Sequence, residues 1–322
     1  MNDMSRREGG VLVTGAAGFI GSMLLRELVA GAGPVTALDV REVVLSERHP
    51  SIFYDRADIR DPALNEIVAR VQPRTVVHLA SVVAVGGDEE RDYQIDVVGT
   101  RHVLEACVAA GVRHLVVTSS GAAYGYHADN PVPLRETDAL RGNEDFPYAR
   151  NKREVEEMLA RYREEHPQLR QTVFRPCTVL GPTTDNQITA IFERPVVTGL
   201  SGTATPFSLI SDDDVVAALA QAVRNGKPGV YNLAGDATLS LREIARLNGK
   251  PFVPIPPAVM RGALWLLHAL RLTRLTPQNV KFIQYRPVLD NSRLKSEFGY
   301  TPKRDARAVF ERYRDGRPER KP

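Results

Sequence analysis

The sequence predicts an α/β protein, a doubly wound parallel sheet with a smaller C-terminal lobe. Three observations carry that reading. Short runs rich in Val, Leu and Thr alternate with longer segments whose apolar residues recur at helical spacing. The short runs lack strict alternation, as strands buried on both faces do. A glycine-rich turn follows the first of them.

The elements can be taken in order. VLVTG (11–15), VTALD (35–39), TVVHLA (75–80) and HLVVTSS (114–120) read as strands. Between them, FIGSMLLRELVAG (19–31), PALNEIVARV (62–71) and YQIDVVGTRHVLEACVAAG (93–111) read as helices. Pro62 suits a first helical turn and Gly111 a C-terminal stop. A further helix carries Tyr148, and QTVFRP (171–176) then reads as a strand. From Cys177 the rhythm breaks, and it resumes only at GVYNLAG (229–235), one more strand of the same sheet. The expected division is therefore 1–176 plus about 209–235 as the main domain. Residues 177–208 and 236–322 would form the substrate-binding lobe.

Composition excludes several classes. Hydrophobic residues make up 43% and charged residues 25%, as in ordinary globular proteins. The net charge of +3 is small and interspersed, so no nucleic-acid footprint is expected. Cys107 and Cys177 supply neither a disulfide framework nor a metal spacing, and both read as small core residues. MNDMSRREGG has no apolar stretch behind its charges, so no signal peptide is expected, and a cytoplasmic setting fits. The apolar stretch AVMRGALWLLHAL (258–270) is too short to span a bilayer and reads first as a helix packed on its own lobe, with membrane-surface contact as the alternative. The mixed-charge end ERYRDGRPERKP reads as a solvated, fraying tail.

The glycine turn is the first chemical signal. VTGAAGFIG places Gly15, Gly18 and Gly21 between a strand and a helix. Glycines at that spacing permit a tight turn, close approach of backbone to a pyrophosphate, and close helix–strand packing. The helix N-terminus beyond adds unpaired N–H groups and a positive dipole end. No Gly-Lys-Ser/Thr ending follows, which argues against a nucleoside-triphosphate loop. Asp39 closes the second strand, where a carboxylate accepts bonds from both ribose hydroxyls and repels a 2′-phosphate. Together they define a Rossmann-type site and favour NAD over NADP, although Arg41 follows two residues later.

The second signal is YARNK. Tyr148 and Lys152 stand four apart, on one helix face. Alone, such a pair is most often a surface Lys above a half-buried Tyr. Beside a dinucleotide it acquires a target.

Further segments give the pattern a family. They are TGAAGFIG (14–21), ADIRD (57–61), HLAS (78–81), TSSGAAYG (118–125), YARNK (148–152), FRPCTVLGP (174–182), DDVVAAL (213–219), VYNLAGDATLSLREIA (230–245) and SRLKSEFGYTPKR (292–304). In that order, over nearly the whole chain, they resemble the extended short-chain dehydrogenase/reductases, the NAD-dependent epimerase/dehydratase group. The resemblance implies that Gly15, Ala17, Gly18, Phe19, Ile20 and Gly21 hold NAD, and that Asp58 and Ile59 hold its adenine. It implies that Leu79, Ala80 and Ser81 line the cofactor, with Thr118, Arg175 and Pro176 contributing from later strands. Ser120 would hydrogen-bond the reacting oxygen, Tyr148 would be general acid or base, and Lys152 its partner. A cation near the phenol, with the positive nicotinamide, is expected to lower its pKa. A homodimer through helices at 89–110 and 148–166 is implied as well.

The reaction is less sharply marked. Gly121, Ala122 and Ala123 offer no acid or base after Ser120, which sets dehydration low. The resemblance places an Asn where this chain has Thr178, and a diphosphate-gripping Arg where it has Pro206. Asp96 likewise replaces a common Asn. Arg194, Arg261 and Arg286 remain as other cations of the lobe. The first expectation is a dehydrogenase or reductase acting on a lipid-, steroid- or aromatic-like alcohol or ketone. The second is a nucleotide-sugar 4-epimerase, and the third a non-catalytic NAD-binding sensor or scaffold. No metal and no nucleic-acid partner are expected.

Overall fold

A computed structural model describes residues 9–31, 33–83, 87–273 and 276–317 of the chain. Seven strands make the central sheet: β1 (Val11–Thr14), β2 (Val35–Asp39), β3 (Ile52–Arg56), β4 (Thr75–His78), β5 (His114–Thr118), β6 (Arg170–Pro176) and β7 (Gly229–Leu233). All pairs are parallel and the spatial order is β7-β6-β5-β4-β1-β2-β3. The chain winds outward from β1 through β2 to β3, then crosses back to β4 and winds the other way. The crevice between β1 and β4 is the place where such sheets bind ligands.

The β3 segment IFYDR is missing from the sequence reading. It pairs on one side only, with β2, and its central residues are half-buried. A four-residue apolar run never forms there, so the signal for a strand buried on both faces is weak.

Helices cover both faces. Helix α1 (Phe19–Leu28) lies on one face. On the other lie α2 (Ala63–Val71), α3 (Gly99–Ala109) and α4 (Pro147–Glu165). Helix α5 (Asp212–Asn225) joins α1 on the first face, where Leu24, Leu28, Val215 and Leu219 share a core with Val11, Val13 and Val35. Leu64, Val68, Leu104, Cys107 and Leu159 pack with Leu12, Val76 and Leu115 on the opposite side. Cys107 is thus a core residue, and burial pushes its thiol up.

Pro62 stands at the cap of α2 rather than inside it. Gly111 follows α3 with φ +67, the left-handed conformation of a helix stop. The stretch read as one helix from 93 is interrupted. An α-turn at Glu89–Tyr93 passes into a wide π turn at Gln94–Val98 before α3 begins.

A second core lies beyond Cys177. Leu180, Phe192, Phe207, Leu241, Phe310 and Tyr313 are buried together. Besides short helices at Gln187–Glu193 and Leu241–Leu247, this part of the chain carries α6 (Pro257–Ala269), α7 (Val280–Gln284) and α8 (Ala306–Asp315). The expected frayed tail is not what residues 311–315 form, and residues 318–322 lie outside the described residues. Phe310 and Tyr313 stand three apart on α8 and both face the core, so residues up to 315 are helical. The expected packing of 258–270 also changes: no residue of α6 is buried.

Candidate active site

The turn after β1 is shaped by its glycines. Gly15 has φ +69, and a Cβ there would fall 2.6 Å from the Ala80 backbone nitrogen. A Cβ on Gly21 would fall 2.2 Å from the Gly15 carbonyl oxygen. The turn is therefore pressed against Leu79 and Ala80 at the end of β4, and α1 against the turn. Gly18 caps α1 with no side-chain bond, and the first turn holds no acid. The N–H groups of Phe19, Ile20 and Gly21 open the helix without a side-chain cap, as an anion site requires.

Asp39 ties this turn to β2. Its Oδ2 accepts from the Ala17 N–H at 2.9 Å, and its Oδ1 accepts from the Arg41 N–H at 2.9 Å. A cavity of about 260 Å³ opens beside it, walled by Ala16, Arg41, Tyr54 and Arg56. Arg41 Nε also reaches Oδ1, at 3.5 Å, so Oδ2 is the oxygen that keeps a lone pair for a further donor such as a ribose hydroxyl.

Ser120, Tyr148, Lys152, Ser81 and Asp96 converge from four segments at the C-terminal end of the sheet. Ser120 caps the short 3₁₀ turn Gly121–Tyr124, its Oγ accepting from the Ala122 N–H at 3.1 Å. The Ser120 side chain also hydrogen-bonds the Tyr148 phenol. Tyr148 opens α4, and Lys152 lies one turn on, its Nζ 5.6 Å from the tyrosine ring centre. Lys152 is 4% exposed and donates to Ser81 Oγ at 2.6 Å. Asp96, 2% exposed, sits 3.8 Å from the same ammonium and accepts from the Val82 N–H at 3.0 Å. Beneath them His78 joins Thr14 at 2.7 Å and Thr100 at 3.0 Å.

The expected fall in the Tyr148 pKa is not what the protein groups produce. Burial pushes the phenol up to about 12, the Ser120 bond opposes that, and the Asp96 charge adds to it.

A second cation faces the same cleft. Arg286, just past α7, donates from Nη2 to Thr178 Oγ1 at 3.0 Å and stacks 4.1 Å above the Phe207 ring. Burial lowers its pKa, and the groups that resist this are Tyr126 and Cys177, not a carboxylate. Cys177 is half-buried there, its thiol pushed up to about 12 by burial. Tyr126 links the two ends of the cleft, since its phenol also feels Tyr148. Tyr126, Phe146 and Phe282 form an aromatic cluster beside Tyr148, with ring centres 4.1–5.5 Å apart. Nothing local marks Tyr126 in the sequence, and Arg286 there is only one arginine among several.

Some expected contacts lie elsewhere. The Arg175 guanidinium turns into the body, where it grips Glu156 at 2.8 and 3.0 Å and donates to Tyr124 at 2.8 Å. Its side chain is thereby taken up by the fold, and only its backbone lies along the strand end with Pro176 and Thr118. Asp58 is chelated by Arg60 at 2.6–3.1 Å, which lowers its pKa. Ile59 is buried against Gly99 at the start of α3. Among the described residues no cluster of three or more His, Cys, Asp or Glu could hold a metal.

With a glycine turn after β1, an acid at the end of β2 and Ser120, Tyr148 and Lys152 grouped on this sheet, the chain can be compared with known proteins. Residues 11–234 match the model of the NAD dependent epimerase/dehydratase family, so the chain belongs to that family. A UDP-glucose 4-epimerase of Mycolicibacterium smegmatis is 31% identical over 317 residues, covering 90% of this chain and 93% of the relative. An uncharacterized protein of Mycobacterium tuberculosis is 27% identical over 318 residues, covering 95% and 84%. Among solved structures, MoeE5 in complex with UDP-glucose and NAD is 26% identical, with TM-score 0.73 over 96% of this chain and 98% of that one.

Proposed function

We propose that this chain is an NAD-dependent enzyme of nucleotide sugars, and that 4-epimerisation is its reaction. The observation that carries the reading is Arg286: a cation facing the cleft of Tyr148 with no carboxylate partner among the described residues. A half-buried guanidinium without a counter-charge suits a ligand phosphate, which returns both charge and hydrogen bonds. The similar UDP-glucose 4-epimerase and the structure holding UDP-glucose and NAD support the same choice.

The residues fit the cofactor. A side chain at Gly15 or Gly21 would push the turn off β4 or α1 off the turn, so both glycines hold the backbone in the shape that suits a pyrophosphate, and Asp39 presents an oxygen to the ribose while repelling a 2′-phosphate. When bound, NAD would supply the acceptor and donor of the hydride exchanged at the carbinol carbon. Tyr148 takes the hydroxyl proton and later gives it back. Ser120 donates to the same oxygen and holds it against the phenol. Lys152, fixed by Ser81 and Asp96, lies within reach of the nicotinamide ribose and of Tyr148. Residues 177–208 and 236–322 would supply the substrate side, with Arg286 on the phosphates.

The apolar-alcohol reading loses its main support. The large apolar side chains of α6 point to solvent rather than into a closed pocket. Its remaining support is the aromatic cluster of Tyr126, Phe146 and Phe282 beside Tyr148. Thermal shift with NAD separates the two. UDP- or dTDP-sugars should raise the transition by mass action, and UDP-glucose should convert to its 4-epimer. Stabilisation by apolar secondary alcohols alone, without epimer formed, would overturn the reading. Homodimer formation through 89–110 and 148–166 belongs to the same proposal, and sedimentation equilibrium tests it.

A further inference from the structure

Helix α6 carries an apolar face that nothing among the described residues covers. Val259, Leu266 and Leu270 are spaced by seven and four residues, so they share one face. They are 59%, 53% and 58% exposed, and Trp265 beside them is 64% exposed. Leu272, just beyond the helix end, is also exposed. The helix is held to the protein by its opposite edge, where Pro257, Met260 and Leu264 are half-buried and the neighbours are Pro277–Asn279 and α7. A packed helix of this composition would turn its leucines inward.

Charge decides what fits this face. Arg261 and His268, seven apart, run along its shoulder, and Arg271 follows the last turn. All three are exposed, and neither guanidinium has an acidic partner among the described residues. Residues 244–289 contain no Asp or Glu and seven Lys or Arg. A second copy pairing through the same patch would set these cations against their own images. An anionic lipid surface presents phosphates to the arginines and acyl chains to the leucines, and tryptophan favours that boundary. No described helix is long and apolar enough to cross a membrane, so the helix would lie in the interface plane.

We propose that α6 docks the protein on an anionic lipid surface, with Val259, Trp265, Leu266 and Leu270 inserted and Arg261 and Arg271 on the headgroup phosphates. This assignment does not depend on the substrate or on the reaction.

Trp265 is the only tryptophan in the chain, so its emission reports the event directly. The full-length protein is titrated with phosphatidylcholine vesicles, with and without phosphatidylglycerol. Vesicles containing phosphatidylglycerol should shift the emission to the blue and sediment the protein, and salt should weaken both effects. Leu266→Glu should abolish both while keeping the thermal transition. Arg261→Gln with Arg271→Gln should cut vesicle affinity by about tenfold or more. Absence of sedimentation with anionic vesicles at low salt overturns the proposal. Equal binding to neutral vesicles overturns the anionic assignment. A blue shift that grows with protein concentration in the absence of lipid assigns the face to self-association instead.

Discussion

Lys152 Nζ lies 3.8 Å from Asp96 Oδ1, and both side chains are almost wholly out of solvent. The ion pair sits under Tyr148, whose pKa the Asp96 charge raises. The wide π turn at Gln94–Val98 brings Asp96 there by adding a residue to one helical turn.

Asp96→Asn tests that coupling. Removing the carboxylate removes a charge that disfavours the phenolate, so the Tyr148 pKa falls. The limb of the kcat/KM profile on which the phenol must be ionised should move to lower pH, with the Val82 N–H still satisfied by the amide oxygen. Lys152 loses its counter-charge, so the variant should also be about 3 kcal/mol less stable to urea. An unmoved limb alongside the stability loss would restrict Asp96 to a structural role.

Tyr148→Phe keeps the ring beside Phe146 and removes only the proton-carrying oxygen. NAD affinity should hold within a factor of two or so, while turnover falls by roughly 10²–10⁴-fold, the usual worth of a positioned acid–base group. Isothermal titration and an epimer assay read the two separately. Retained turnover would take Tyr148 out of the mechanism.

The glycine turn allows a paired test. Gly15 and Gly111 both hold left-handed backbones, with φ +69 and +67. A Cβ on Gly111 meets nothing within 4 Å, whereas one on Gly15 strikes Leu79 and Ala80. Gly111→Ala should therefore cost about 1 kcal/mol, the backbone term alone. Gly15→Ala should cost more and should weaken NAD, because the turn must move off β4. Urea melts with and without NAD distinguish the two.

Much of this site was legible because its determinants are local. Gly15, Gly18, Gly21 and Asp39 belong to one strand–turn–helix–strand unit, where spacing alone sets geometry. Tyr148 and Lys152 share a helical turn. The rest was not legible, for reasons of the same kind. The π turn shifts the register that periodicity reads as one helix, so Asp96 showed only as an odd residue in a motif. Arg175 sits in a motif yet turns inward, because Glu156 on α4 meets it there. Leucines at helical spacing predict a buried face, and α6 shows that spacing does not say which side faces the body.

His78 predicts an acid limit to stability. Thr100 Oγ1 donates to the Asp96 carbonyl, so it accepts from His78 Nε2–H, and Nδ1 accepts from Thr14. The ring is thus held neutral, and burial with the nearby Lys152 lowers its pKa to about 3. The unfolded chain takes up this proton near the ordinary pKa of about 6.5, so it binds more protons below that pH. Stability from this group is fully present above about 6.5 and is lost as pH falls toward 3. The slope approaches about 1.4 kcal/mol per pH unit. His78→Asn should be less stable at pH 7 yet flatter between pH 6 and 4, which melting curves across that range would show. An equal slope in both proteins would assign the acid lability to other groups, His114 first, whose pKa burial lowers to about 4.

Arg286→Ala separates a ligand-binding cation from a structural one. If Arg286 holds phosphate, the variant loses hydrogen bonds to a charged group, roughly 1.5–3 kcal/mol, and UDP-sugar affinity drops tenfold or more. NAD binding, at the far side of Tyr148, should not change. The thermal transition should stay level or rise, because the guanidinium has no carboxylate to lose and its burial is a cost removed. Arg286→Lys should recover only part of the affinity, since an ammonium lacks the planar fork that reaches Thr178 and two phosphate oxygens together. A large fall in melting temperature with unchanged sugar affinity would instead make the Phe207 stack its purpose and leave the phosphate to other donors.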